Sequence, residues 1–141
     1  MTAKQYLEKI RSIDLTISTL LAEQSESEIC GMGLSSQMDV TGIHGTGISN
    51  KVCNVSIKNA TYDEMINAEK QKRLYAKKEA FGYIKKLENE TQISILLKYY
   101  FQHKTFFEVA NEINRSYQWT YEQYKRGLKE LDKILEREGV K

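Results

Sequence analysis

Between Thr91 and Leu131 the apolar residues fall into three runs of helical period, separated by two short polar breaks. Ile93, Leu96, Leu97 and Tyr100 step by three and four, which places them on one stripe of a first helix. Gln102 to Lys104 interrupt that pattern. Thr105 followed by Glu108 has the spacing of a capping box, in which the hydroxyl accepts from an early backbone N–H and the carboxylate reaches back. A second helix therefore starts there, with Phe106, Val109, Ala110 and Ile113 turned inward, and the small Ala110 suits a close helix crossing. Asn114 tolerates left-handed backbone and ends this helix. Ser116 caps a third, whose inward residues are Thr120, Tyr124, Gly127 or Leu128, and Leu131. A turn this short is the connection a helix-turn-helix requires. Ile134 and Leu135 carry the last stripe onward, and the helix ends near Gly139.

Upstream the pattern predicts a long helical hairpin. Thr2 and Gln5 form another capping-box spacing, and Tyr6, Ile10, Ile13, Ile17 and Leu20 then keep a four-three rhythm, the seam of an antiparallel coiled coil. Leu7 and Leu21 widen its apolar face, and the pattern fades near Gln24 to Glu28. Residues 29–50 hold Gly31, Gly33, Gly42, Gly45 and Gly47, five of the chain's eight glycines. Such a composition predicts a flexible connection between the two arms. Ser49 or Asn50 caps a second helix reaching to about Leu87, with a stripe through Val52, Val55, Asn59, Tyr62, Ile66, Arg73, Ala76, Ala80, Ile84 and Leu87. At 1.5 Å per residue this arm is about 57 Å long against about 40 Å for the first. The overhang leaves Val52, Val55 or Ile84 to pair with a second copy, so a homodimer through the two arms is expected. Asn89 is the hinge. The expected organisation is a hairpin over 1–88, with its Gly/Ser-rich loop at about 29–50, and a helix-turn-helix over 89–141. The whole is all-α, since the chain has no Pro and few alternating β-branched runs.

The run Ile95, Leu96, Tyr100, Lys104, Thr105, Glu108, Val109, Ala110, Asn114, Ser116, Tyr121, Arg126, Leu128 and Leu131 resembles region 4 of bacterial sigma factors. It is similar to the form used by the ArpU and RinA type of phage and prophage transcriptional regulators. The opening MTAKxYLxxI pattern over Met1 to Ile10 belongs to the same resemblance, which covers nearly the whole chain. Tyr99, His103 and Phe107 depart from its usual residues. The resemblance implies a sequence-specific transcriptional regulator, a late-gene activator that contacts double-stranded DNA and host RNA polymerase in the bacterial cytoplasm.

Charge narrows where such contacts can lie. Lys and Arg total 21 against 19 Asp and Glu, a formal +2, so DNA affinity has to come from local charge. In a helix-turn-helix the first turns and outer face of the third helix meet the major groove and flanking phosphates. Those positions are Ser116, Tyr117, Gln118, Trp119, Glu122, Lys125, Arg126 and Lys129. Gln118 has the donor and acceptor pair that reads an adenine edge, and Lys125, Arg126 and Lys129 supply phosphate charge. Lys70, Lys72, Arg73, Lys77, Lys78, Lys85 and Lys86 stand against Glu79 alone, a second cationic run that reads either as a solvated helix face or as a phosphate-tracking surface.

Cys30, His44, Cys53 and His103 contain no CxxC or HxxxH pair, so no metal site is expected. The GIHGTG run at Gly42 to Gly47 follows no strand and lacks a GK[ST] ending, so it reads as loop. Neither a catalytic constellation nor a cofactor is expected, and the chain is read as a non-enzyme. It has no apolar run of membrane length and no signal-peptide core, so a cytoplasmic, non-membrane protein is expected. The rival class is a protein-interaction module that binds polymerase or another regulator without touching DNA, with Trp119, Tyr121 and Phe107 as aromatic anchors.

Overall fold

The computed structural model describes residues 1–31 and 48–140, with side chains described for residues 1–29 and 59–140. All of its regular elements are helices: α1 (Ala3–Gly31), α2 (Ile48–Ile84), α3 (Glu90–Tyr100), α4 (Phe106–Glu112) and α5 (Tyr117–Arg137). Two contact clusters divide the chain, one made of Met1–Asp14 with Lys72–Lys141 and the other of Leu15–Gln71. Of the loop expected at about 29–50, residues 32–47 lie outside the described residues, whereas 29–31 and 48–50 belong to α1 and α2. The side chains of Cys30, His44, Val52, Cys53 and Val55 also lie outside the described residues. So does the GIHGTG run.

The first cluster holds the main core. Ala3, Leu7 and Ile10 of α1, Ala80 and Ile84 of α2, and Leu87 pack with Ile95, Leu96, Tyr100, Val109, Tyr124, Leu128, Leu131 and Leu135. Local chemistry sets each helix start. The Thr2 and Gln5 side chains exchange bonds with each other's backbone N–H at 3.3 and 3.1 Å. Ala3 N–H donates to the Asp132 carboxylate, so α5 supplies a second cap to α1. Asn89 caps α3 by accepting from Thr91 N–H, and Thr105 and Glu108 close the capping box of α4. Ser116 caps α5 through Trp119 N–H at 3.2 Å.

The helix ends are equally local. Asn114 takes φ 54°, with Arg115 N–H donating to Ala110 C=O and Asn114 N–H to Asn111 C=O, the paired bonds of a Schellman stop. Gly139, at φ 70°, repeats the arrangement after α5. α2 ends at Ile84, short of Leu87, because its last turn tightens: Lys86 N–H and Leu87 N–H donate three residues back. Leu87 nevertheless reaches the core at 5% exposure. α2 is described from Ile48, so Ser49 and Asn50 fall within the helix, and their side chains lie outside the described residues. α1 likewise runs on to Gly31, past the point where its apolar stripe fades.

Two core assignments differ from the periodicity. On α3 the fully buried positions are Ile95, Leu96 and Tyr100, with Gln92 beside them, whereas Ile93 and Leu97 are only half-buried. The reason is the close approach of α5: a Cβ added at Gly127 would sit 3.3 Å from Gln92 Cβ and 3.5 Å from Leu96 Cδ1, so α5 presses on the Gln92–Leu96 side of α3. Ile84, expected to overhang, is completely buried and is unavailable for pairing with a second copy.

Beneath that crossing the Tyr100 and Tyr124 hydroxyls bond each other at 2.7 Å out of water. Burial, and then the shared bond, push the Tyr100 phenol well above its ordinary range. Tyr100→Phe removes one partner and leaves the Tyr124 hydroxyl buried and unpaired, at a cost of about 1–3 kcal/mol. Tyr100→Phe with Tyr124→Phe is expected to recover most of that loss, and denaturant unfolding of the single and double variants measures the coupling.

Asp14 anchors the other end of this cluster. Its carboxylate meets Lys77 Nζ at 2.9 Å, Arg73 Nη1 at 3.4 Å and His103 Nε2 at 2.8 Å, so one acid ties α1 to α2 and to the α3–α4 turn. Burial alone pushes the carboxyl up, but the bonds from Lys77 and His103 outweigh it and hold the group below its ordinary 3.8. A carboxyl depressed on folding stabilises above its unfolded value, and that contribution fades as pH falls through the folded one. Asp14→Asn is expected to lower the melting temperature at neutral pH and to converge on the unsubstituted chain only as pH falls from about 3.8 through the depressed folded value, which a melting series against pH tests.

In the second cluster Ile17, Leu20 and Ile66 are buried. Gln24 Nε2 donates to Asp63 at 2.8 Å, and Asn59 Nδ2 donates to Glu28 at 3.3 Å. The pairing of higher α1 numbers with lower α2 numbers shows the two helices antiparallel here. Asn59, Tyr62 and Ile66 thus occupy the stripe their spacing predicts.

Candidate nucleic-acid interface

α5 divides cleanly into two sides. Thr120, Tyr124, Gly127, Leu128, Leu131 and Leu135 are buried and seat the helix on α3 and α4. Thr120, completely enclosed, donates its hydroxyl to Ser116 C=O at 2.9 Å. The opposite side carries Gln118, Glu122, Lys125, Arg126 and Lys129, all exposed. Each was expected on this face from the sequence, and Lys133 extends it by another turn.

Pairing with carboxylates separates the cations of this face from several others of the chain. Arg73 and Lys77 are held by Asp14, Lys86 by Glu138 at 2.5 Å, and Lys98 and Lys104 by Glu112. The two lysines pull the Glu112 carboxyl below its ordinary value, Lys104 first. Among the described residues Lys125, Arg126 and Lys129 have no such carboxylate partner. Lys125 lies over the Tyr121 ring at 4.8 Å, which keeps its charge while orienting its stem.

The remaining expected residues lie at the start of α5. Ser116 is occupied as the cap, its oxygen turned to the helix backbone. Trp119 is half-buried, packed against the core with the Arg115 guanidinium 5.1 Å from its ring, so it supports the turn more than it offers a free surface. It borders two shallow clefts, one beside Asn111, Asn114 and Ser116 and the other beside Thr91, Ser94 and Ile113. Tyr117 is exposed and meets Phe107 at 6.2 Å and Tyr121 at 6.5 Å. Phe107 and Tyr121 are exposed too, at 68% and 39%, so an aromatic margin runs along one flank of the cationic face. Periodicity could not reveal that margin, because it joins two helices. Beneath it, Phe106 holds the group to the core, stacked on Tyr99 at 4.3 Å and edge-on to Tyr124 at 4.8 Å.

Among the described residues no group of three or more His, Cys, Asp or Glu side chains is placed to hold a metal ion, and no helix is long and apolar enough to cross a membrane. Part of the seven-cation run over residues 70–86 is committed elsewhere: Arg73 and Lys77 face Asp14, and Lys86 pairs with Glu138. It does not form one continuous free surface. Comparison with family models, characterised proteins and solved structures finds no match to this chain.

Proposed function

We propose that this chain is a sequence-specific DNA-binding transcriptional regulator, in which α3, α4 and α5 act as a helix-turn-helix of the sigma region 4 kind. α5 enters the major groove. Gln118 and Glu122 meet base edges there, and Lys125, Arg126 and Lys129 meet phosphates. The observation that carries this reading is the outer face of α5, where three exposed cations have no carboxylate partner among the described residues on a helix fixed by its buried side. Two left-handed turn residues, His103 and Asn114, and the caps at Thr105 and Ser116 give α4 and α5 the short connections the motif uses. α1 and α2 serve as an antiparallel coiled coil for assembly. Leu15, Leu21, Ile29 and Met65 stay exposed in the second cluster and are the residues on which a homodimer would rest. Contact with RNA polymerase, and a phage or prophage late-gene role, follow from the resemblance of the sequence. No chemical step, metal or cofactor enters.

Selection of fragments from the encoding genome on the purified protein, at low and high salt, tests the reading. Enrichment of one intergenic fragment that fades with salt supports it, because phosphate contacts release counterions. Absence of any enriched fragment overturns it. The aromatic margin of Phe107, Tyr117 and Tyr121 favours a second reading, a module that docks polymerase or another regulator without DNA. Salt-insensitive retention of a protein partner with no DNA enrichment would put that reading first.

A further inference from the structure

The C-terminal part of α2 has one face in the core and another with nothing on it. Ala80 and Ile84 are completely buried, so the helix is held rigidly. On its outward side Leu74 is 61% exposed, Tyr75 69% and Phe81 40%. Leu74, Lys78, Phe81 and Lys85 step by four, three and four and share one stripe, with Tyr75 on its flank. Gly82 beside Phe81 opens to empty space, with nothing within 4 Å of where a Cβ would be. Single exposed apolar residues need no explanation, but two on one stripe of a fixed helix with a third on its flank form a patch.

Charge identifies what the patch accepts. Lys85 Nζ lies over the Phe81 ring at 5.0 Å, and Lys78 stands between Leu74 and Phe81. Neither lysine meets a carboxylate among the described residues. The cations turned the other way, Arg73 and Lys77, are neutralised by Asp14. Glu79, the sole acid between Leu74 and Lys85, sits off the stripe and accepts from the Tyr83 hydroxyl at 3.3 Å. The face is therefore apolar and purely cationic. A second copy pairing on it would bring lysine against lysine, which opposes association. A phosphate backbone would meet the lysines and leave Leu74, Tyr75 and Phe81 uncovered.

We infer that the Leu74–Tyr75–Lys78–Phe81–Lys85 face docks an acidic amphipathic helix of a partner protein, which lays apolar residues against Leu74 and Phe81 and carboxylates against the two lysines. This is helix-on-helix recognition with anchors at i, i+4 and i+7. It goes beyond the DNA reading and uses a different surface.

The test is selection on the full chain from a display library of helical peptides of about twenty residues, long enough to hold a helix, in which acidic, basic and apolar positions vary independently. The expected winners are net acidic with apolar residues at i, i+3 or i+4, and i+7. They are expected to bind about tenfold or more weakly to Leu74→Ser with Phe81→Ser and to Lys78→Glu with Lys85→Glu. All four positions are exposed, and unchanged melting curves verify the fold of both variants. Lys125→Ala with Arg126→Ala should retain peptide binding, which separates failure here from failure of the DNA reading. Neutral or basic winners, equal binding to the variants, or no enrichment would overturn the inference. Self-association lost in the Leu74→Ser, Phe81→Ser variant would instead give the face to a second copy. Sedimentation with anionic vesicles that the same variant abolishes would give it to a lipid surface, and either result would overturn the inference.

Discussion

Replacing Lys125 and Arg126 together by alanine is expected to weaken binding to the selected genomic fragment by roughly tenfold or more, with no change in melting temperature. Both side chains are exposed and neither braces a carboxylate among the described residues, so their removal takes charge and, apart from the Lys125 contact with the exposed Tyr121 ring, no packing. A lost charge-assisted contact is worth about 1–3 kcal/mol, and about 1.4 kcal/mol is a factor of ten. The salt response is the sharper readout. Each phosphate neutralised contributes a slope of about −0.9 in log affinity against log salt, so the double variant should flatten the slope by nearly two units. Anisotropy titrations at several salt concentrations measure both quantities. Unchanged affinity and slope would remove α5 from the interface and with it the groove assignment. A change in affinity that depends on the base sequence would place one of these side chains on a base edge, since phosphate contacts weaken all sequences alike.

The second large effect concerns folding. A fragment restricted to residues 89–141 is expected to lack a cooperative melt, although it contains α3, α4 and α5 in full. The core that seats these helices also includes Ala3, Leu7 and Ile10 from α1, and Ala80, Ile84 and Leu87 from the end of α2 and the turn after it. Leu7, Ile84 and Ala3 are completely enclosed. Losing a buried Leu or Ile side chain costs about 2–5 kcal/mol each, and domains are stable by only about 5–15 kcal/mol. Deleting residues 1–14 from the full chain tests the same point more gently, because it also removes the Asp14 ties to Lys77, Arg73 and His103. Circular dichroism melts and hydrogen exchange on the three chains decide the matter. A fragment that melts as sharply as the full chain would make α3–α5 an autonomous unit.

Most of what was legible in the sequence is local. The capping pairs Thr2–Gln5 and Thr105–Glu108, the Ser116 cap, the left-handed Asn114 and the Thr120–Tyr124–Leu131 stripe each depend on residues within a turn or two of one another. Short-range chemistry of that kind survives in a one-dimensional reading. The α5 face was legible for the same reason, since a helix with a known inner side has a known outer one. What escaped depends on partners far along the chain. Nothing near Asp132 announces that it caps α1, and nothing near Asp14 announces a shared site for Lys77, Arg73 and His103. The same blindness made the cations of residues 70–86 look like one surface, when pairing sets Arg73, Lys77 and Lys86 apart from Lys78 and Lys85. Trp119, expected among the first-turn and outer-face positions, is half-buried, and its place at the first turn says nothing about Arg115 folding over it.

Trp119 is also the only tryptophan in the chain. It sits half-buried at the root of α5, under the Arg115 guanidinium and between the two clefts of the α4–α5 turn. The protein's entire indole emission therefore originates at one point, next to the surface assigned to the groove and remote in sequence from the α2 face. An occupant of α5 that moves Arg115 toward a phosphate would uncover the ring and alter its intensity without any label being attached, whereas an occupant of α2 would leave the signal untouched. The molecule in this sense carries its own optical gauge, able to tell which of its two surfaces has been engaged.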